Sequence, residues 1–417
     1  MNSKTIATLI LTTQLLRTPS AAQEESPITF NTNFEGASLG KIEKLDDAIF
    51  RCHVAGQYDE RGRNRQATWY FFRMDAVKGR EVTLTLADLV GEYNDKPGAV
   101  AMSSDIIPVF SYDSERWQHF AAMDWDDQKN EATLKFRAEH DMIWIAHIPP
   151  YTTSRLQRLL AEINRHPHVL VEVVGKTVQG RDLSVVKVTN PHVPDSQKKN
   201  VWLIARQHAW EAGTSFVMEG ALRFVTSDDA RAVELRDRVI FNFVPMMDPD
   251  GCVGGKVRFN ANGYDVNRHW DEVDLRSKTL LERMPEIWCV KKAIFGWLNS
   301  GRGIDLMLNL HNTESTEYLQ TLAEDESALK KMEHLYERLA METSFDPSRK
   351  FSVSSNPDST TNSLWKERGI PVLLMEQRIG FSNKLGRRPT VEDRLAFGRK
   401  LIATMAETVV EKAGDKL

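Results

Sequence analysis

The chain has 417 residues, 41% of them hydrophobic, enough to build two cores rather than one. Charged residues make up 27% and the net charge is only −4, which points to neither a nucleic-acid nor an anionic-membrane partner. No interior segment is apolar for long enough to span a bilayer, and there is no internal repeat.

Residues 1–22 have the form of a signal peptide. Lys4 gives a basic start, residues 5–16 form a moderately apolar run, and Ser20-Ala21-Ala22 offers small residues for cleavage. Thr12, Thr13 and Gln14 interrupt that run, so a cytosolic leader is the alternative. The expectation is an exported protein, periplasmic or secreted. Cys52, Cys252 and Cys289 do not make a disulfide framework; a Cys252–Cys289 bridge and three buried free thiols are both open.

Residues 23–150 read as β-rich. Segments 68–73, 81–86, 133–136 and 142–146 have the β-branched, aromatic and alternating character of strands, and short strands without helical periodicity predict a sandwich. His53, His119, His140 and His147 are scattered through it, with a structural role expected for each. Pro149-Pro150 marks a boundary, and residues 151–417 form the second domain. Leu156, Leu159, Leu160 and Ile163 recur at helical spacing with Ser154 as N-cap. Two strands follow, at 169–174 and 183–188. From Val201 onward, strands at 201–205, 239–244, 306–310 and 372–375 alternate with helices at 215–226, 287–298, 324–342 and 391–411. This alternation predicts a mixed or parallel sheet with helices on both faces. Residues 344–362, rich in Ser, Pro, Asn and Asp, read as a surface loop placed to overhang a site.

His-x-x-Glu occurs at His208/Glu211, His269/Glu272, His311/Glu314 and His334/Glu337, so the spacing alone carries little. Context separates the first copy, which lies just past an apolar strand, where open α/β sheets place their ligands. His311 and Glu376 likewise follow the apolar runs 306–310 and 372–375 directly. Two imidazoles and a carboxylate suit zinc and leave a coordination position for water, whose pKa the metal lowers towards neutrality. Glu376 is the candidate to move that water's proton. A structural salt bridge to Arg378 or Arg268 is its alternative. Arg258, Asn267 and Arg268 follow the loop Asp248-Pro249-Asp250-Gly251; arginine there can stabilise an oxyanion or clamp a carboxylate, and each can equally be an ordinary loop residue.

Residues from roughly 150 to 410 resemble the zinc metallocarboxypeptidases of the M14 class. The stretch from Val244 to Gly251, then Arg258, then Gly263-Tyr264-Asp265-Val266-Asn267-Arg268, is similar to that family's central signature, and residues 175–181 to its opening hairpin. Trp69-Tyr70-Phe71-Phe72-Arg73 and residues 149–154 resemble the N-terminal β-domain of the cytosolic-type members. The resemblance implies an α/β fold: an antiparallel β-sandwich, then a carboxypeptidase-like mixed-sheet domain. It implies one Zn2+ per chain on His208, Glu211 and His311, with Glu376 as general base. Arg258 would polarise the scissile carbonyl, and Asn267 and Arg268 would hold the terminal carboxylate of a peptide or small amide substrate. Three positions depart from the pattern. Ala209-Trp210 replaces a common Pro-Gly, Asn312-Thr313-Glu314 follows His311, and the only tyrosine between Gln320 and Glu376 is Tyr336 on a helical stretch. Three functions follow as expectations: a metallocarboxypeptidase, a zinc amidohydrolase of aspartoacylase type acting on N-acyl amino acids, or a catalytically silent binding protein.

Overall fold

The computed structural model describes residues 26–100, 102–353 and 358–411. The leader-like segment lies outside them. The β-rich part is built from two five-stranded sheets. Phe71–Asp75 and Met142–Ala146 pair at the centre of one, and Glu81–Ala87 pairs with Glu131–Arg137 in the other. Alternation places Phe72, Met74, Leu84, Leu86, Leu134 and Ile145 in one shared core, as a half-buried strand pattern requires. The pairing is antiparallel apart from Ile49–His53, which runs parallel to Glu81–Ala87. A separate two-stranded hairpin, Val90–Tyr93 with Lys96–Val100, joins neither sheet.

After Pro150, an eight-stranded mixed sheet organises the chain. Its four central strands, Val239–Val244, Lys199–Ile204, Leu306–Thr313 and Val372–Arg378, lie side by side and parallel. These strands are buried on both faces, which is why each reads as a continuous apolar run rather than an alternating one. Helices Ala212–Thr226, Glu326–Glu342 and Val391–Val410 share one core with one face of the sheet, and helix Pro285–Asn299 contributes to the core on the other face.

Two local expectations need correction. Thr152 rather than Ser154 caps the helix Thr153–Ile163, accepting from the Arg155 N–H at 3.2 Å. Ser154 instead donates its hydroxyl to Glu35 at 2.5 Å, so the Glu35 carboxylate takes the first-turn donors that a local cap would have claimed. The loop expected at 344–362 is also less irregular than its composition. It contains the short strand Ser352–Val353 and starts the helix Thr360–Arg368, whose first turn is buried against the site. The three cysteines are buried free thiols.

Helix Ala212–Thr226 starts immediately after Glu211 and is buried along nearly its whole length. It approaches helix Val391–Val410 through two glycines. A Cβ on Gly398 would overlap the Val217 carbonyl, and one on Gly220 the Leu395 carbonyl. Backbone meets backbone there, so neither side can move a flexible side chain aside. Gly398→Ala should gain roughly 1 kcal/mol of helix propensity against an overpacking cost of about 3 kcal/mol, the upper end for a clash with backbone, leaving a net loss of about 2 kcal/mol. A urea midpoint unchanged or raised in this variant would show that the two helices are not held by that contact.

Candidate metal and substrate site

The strand Lys199–Ile204 delivers the chain into a turn at Ala205 that is set by Arg206. Arg206 adopts φ of +60°, a left-handed conformation uncommon for a residue with a Cβ. Its buried guanidinium donates to the Ala209 carbonyl at 2.6 and 2.8 Å, to the Tyr151 carbonyl at 3.1 Å and to Ser215 Oγ at 3.0 Å. The turn therefore closes on its own side chain, and His208 and Glu211 are presented from a fixed frame. Gln207 binds the neighbouring strand by accepting from Asn309 at 2.7 Å, and it donates to Thr360 Oγ1 at 2.8 Å.

His208, Glu211 and His311 come together. Their candidate ligand atoms all lie within 4.8 Å of one another, and all three residues are buried. Glu211 sits between the rings, 2.6 Å from Nδ1 of His208 and 3.1 Å from Nδ1 of His311. Burial pushes the Glu211 carboxyl up, and the two imidazoles more than offset this, holding it low. Behind His208, Nε2 lies 3.0 Å from Asp265, which also accepts from Arg258 Nε at 2.7 Å. Burial acts upward on Asp265 too, but Arg258 and His208 leave it well below the usual carboxylate range. On the other side, the Asn267 amide lies 3.2 Å from Nε2 of His311 and accepts from Thr360 Oγ1 at 2.9 Å.

Register places Glu376 beside His311 on the adjacent parallel strand. One of its carboxylate oxygens is buried without a hydrogen-bond partner. Burial, with Glu211 and Glu314 nearby, pushes its carboxyl well above the ordinary range. The salt bridge considered for it is not formed. Arg378 turns to Asp346 and Glu317, and Arg268 to Asn267, Tyr93 and Asp358. One buried carboxylate, Glu211, thus meets two imidazoles that supply nitrogen donors, with Glu376 on the adjacent strand. That donor set fits a divalent cation of zinc's preference.

A cavity of about 460 Å³ opens over this group. His208, Glu211, His311, Arg258, Asn267, Arg268 and Glu376 all line it. So does Trp210, which packs against His147 of the β-rich part at 5.9 Å between ring centroids. Of the other His-x-x-Glu copies, His311 and Glu314 both line the same cavity, whereas His269 meets Glu272 on the surface and His334 pairs with Glu411. Tyr336 is also remote, bonded to the Arg349 carbonyl. The phenols at the cavity are Tyr318, opposite Glu376 in an antiparallel pair, and Tyr93.

Sequence reasoning missed Arg206, Asp265 and Gln57. The Gln57 side-chain oxygen accepts from the backbone N–H groups of Val257, Arg258 and Phe259 at 2.9, 2.7 and 3.0 Å, and its amide donates to the Phe259 carbonyl at 2.6 Å. Asp265 lies in the stretch Gly263–Arg268, and its place two residues before Asn267 is the available signal. Asp265→Asn removes the charge that orients His208 and holds Arg258. Metal affinity should fall about 10–100-fold, as such supporting carboxylates commonly contribute. Chelator competition measures this directly, and an unchanged dissociation constant would deny Asp265 that role.

Two family models match the chain: Zinc carboxypeptidase over residues 156–362 and Cytosolic carboxypeptidase N-terminal domain over residues 30–148. Cytosolic carboxypeptidase 3 of Mus musculus is 27% identical over 345 residues, covering 75% of this chain and 32% of that protein. Cytosolic carboxypeptidase 6 of Mus musculus is 27% identical over 264 residues, covering 60% of this chain and 48% of that protein. The chain therefore spans between a third and a half of the length of these relatives. A metallo-carboxypeptidase from Burkholderia cenocepacia shares the fold, with a TM-score of 0.80 at 24% identity, over 92% of this chain and 99% of that one. These findings overturn the export reading, since the relatives and the N-terminal model are both cytosolic carboxypeptidase types. A moderately apolar run ending in small residues has the composition of a signal peptide without specifying one. With both parts matched and the three ligand candidates assembled beneath one cavity, the chain belongs to the M14 zinc carboxypeptidase family, in its cytosolic-carboxypeptidase-like branch.

Proposed function

We propose that the protein is a zinc-dependent metallocarboxypeptidase that hydrolyses the C-terminal peptide bond of its substrate. The observation that carries this reading is the meeting of His208, Glu211 and His311 with Glu376, Arg258 and Arg268 around one cavity. The division falls at Pro149-Pro150, between a sandwich over residues 23–150 and a catalytic domain over 151–417. The spans of the two family models support it.

His208, Glu211 and His311 would hold the zinc, which when bound supplies Lewis acidity and a water acidic enough to ionise near neutrality. Glu376 takes the proton of the attacking water as its oxygen bonds to the scissile carbonyl carbon. As the C–N bond breaks, Glu376 returns that proton to the leaving amine. Arg258, held by Asp265, stabilises the charge that develops on the carbonyl oxygen. Arg268 binds the terminal carboxylate of the substrate, a geometry guanidinium forks suit. Asn267 supports His311 from the same segment and faces the same cavity.

Blocked dipeptides with a free carboxylate, assayed beside N-acyl amino acids, test this reading. Turnover of the dipeptides should vanish with a chelator and return with zinc. Glu376→Gln should retain its metal and lose about 10²–10⁴-fold in kcat. Chelator-insensitive hydrolysis, or full turnover by the metal-loaded Gln variant, would refute the mechanism. Activity confined to N-acyl amino acids would move the protein to the amidohydrolase class.

A further inference from the structure

The hairpin Val90–Tyr93/Lys96–Val100 belongs to neither sheet, yet it is firmly held. The Arg65 guanidinium donates to the carbonyls of Asp88 and Val90 at 2.9 and 2.8 Å, and also to that of Val54. The Glu92 N–H donates to the Arg65 carbonyl at 2.8 Å, and the Asp95 N–H to Asn64 Oδ1 at 2.5 Å. A Cβ on Gly91 would overlap the Arg65 carbonyl, so only glycine permits this seating. The segment 57–65, which carries Arg65, is fastened to the catalytic part by the Glu60 N–H, which donates to the Gly263 carbonyl at 3.1 Å, and by Gln57. The hairpin tip therefore stands at a set distance from the segment 258–268.

Tyr93 bridges that distance. Its hydroxyl accepts from Arg268 Nη2 at 3.3 Å, and its ring lies 5.2 Å from the Arg258 guanidinium carbon. Both arginines and Tyr93 line the cavity. A guanidinium can only donate, so the phenol oxygen is the acceptor in this contact and keeps its own hydrogen to give. Among the described residues no acceptor takes it. Tyr93 is 42% exposed, and the hydrogen is available to a group that enters beside Arg268.

Resting on the carboxypeptidase reading above, we propose that Tyr93 is a substrate-binding residue supplied by the β-rich part. Its hydroxyl donates to the terminal carboxylate that Arg268 holds, while its ring keeps Arg258 in place. The recognition site is then incomplete without the N-terminal hairpin. Discrimination between a terminal carboxylate and a neutral carboxamide is shared between the two halves of the chain.

The test uses the full-length, zinc-loaded protein and two probes, a blocked dipeptide and its C-terminal carboxamide, with KM for the first and the inhibition constant for the second. Wild type, Tyr93→Phe, Tyr93→Ala and Arg268→Ala are compared, with thermal unfolding as a check on folding. Tyr93→Phe keeps the ring over Arg258 and removes only the hydroxyl. It should raise KM for the free acid about tenfold, as loss of a hydrogen bond to a charged group does. The preference for acid over carboxamide should shrink by the same factor, with kcat moving less than KM. Arg268→Ala should shrink the preference further. A Tyr93→Phe enzyme with the wild-type preference overturns the proposal, and it does so even if Tyr93→Ala is impaired, because stacking alone would then account for the residue. If the wild type itself neither hydrolyses the dipeptide nor prefers the acid, the carboxypeptidase reading falls and this contact with it. If the wild type prefers the acid and Tyr93→Phe does too, only the contact falls.

Discussion

A carboxylate shut away from water needs polar partners beside it, and Glu211 lies between the imidazoles of His208 and His311. The compensation does not stop there. His208 leans on Asp265, Asp265 on Arg258, and Arg258 on the face of Tyr93. Polar contacts thus run unbroken from the buried ligand group out to the cavity wall, each member satisfying the next. Removing one link leaves a buried neighbour unpaired, which costs more than the lost contact alone. This interdependence sets both the ligand geometry and the direction of the arginine that faces substrate.

The sheet makes that chain possible. Four parallel strands run side by side, and the site gathers at and just beyond their carboxyl-terminal ends. His208 and Glu211 leave one strand end. His311 and Glu376 lie side by side in register at two others. Polar side chains inside so apolar a setting must be bonded to one another, and Gln207, Asn309, Thr360 and Asn267 form that supporting network. The glycine contact between helices Ala212–Thr226 and Val391–Val410 seats the helix on which Glu211 ends the turn.

The β-rich part is more than a neighbour of the site. Gln57 satisfies three consecutive backbone donors around Arg258, and the hairpin at Tyr93 walls the cavity. A segment that carries an arginine into a pocket has few backbone partners of its own, and here a glutamine from about 200 residues earlier supplies them. Loop precision is obtained from a second core, which takes in Trp210, Phe216 and Val257 along with the β-rich residues.

Local pattern made much of the molecule legible. Strand-like alternation in segments such as 81–86 and continuous apolar runs such as 201–205 report which side of an element each residue faces. That is a property of period, so both the sandwich and the buried parallel strands could be read. The ligand candidates could be read as candidates, because His311 directly follows such a run and His208 and Glu211 lie just past one. The cap at Thr152, the helix starting at Thr360, and the parts played by Arg206, Gln57, Asp265 and Tyr93 could not. Each depends on a tertiary partner: Glu35 for the cap and the segment 257–259 for Gln57 across the two parts, and Asn267 for Thr360 and the Ala209 and Tyr151 carbonyls for Arg206 within the second. Periodicity is set by neighbours in the chain, whereas these contacts are set by tertiary packing, both within the second part and between it and the β-rich part.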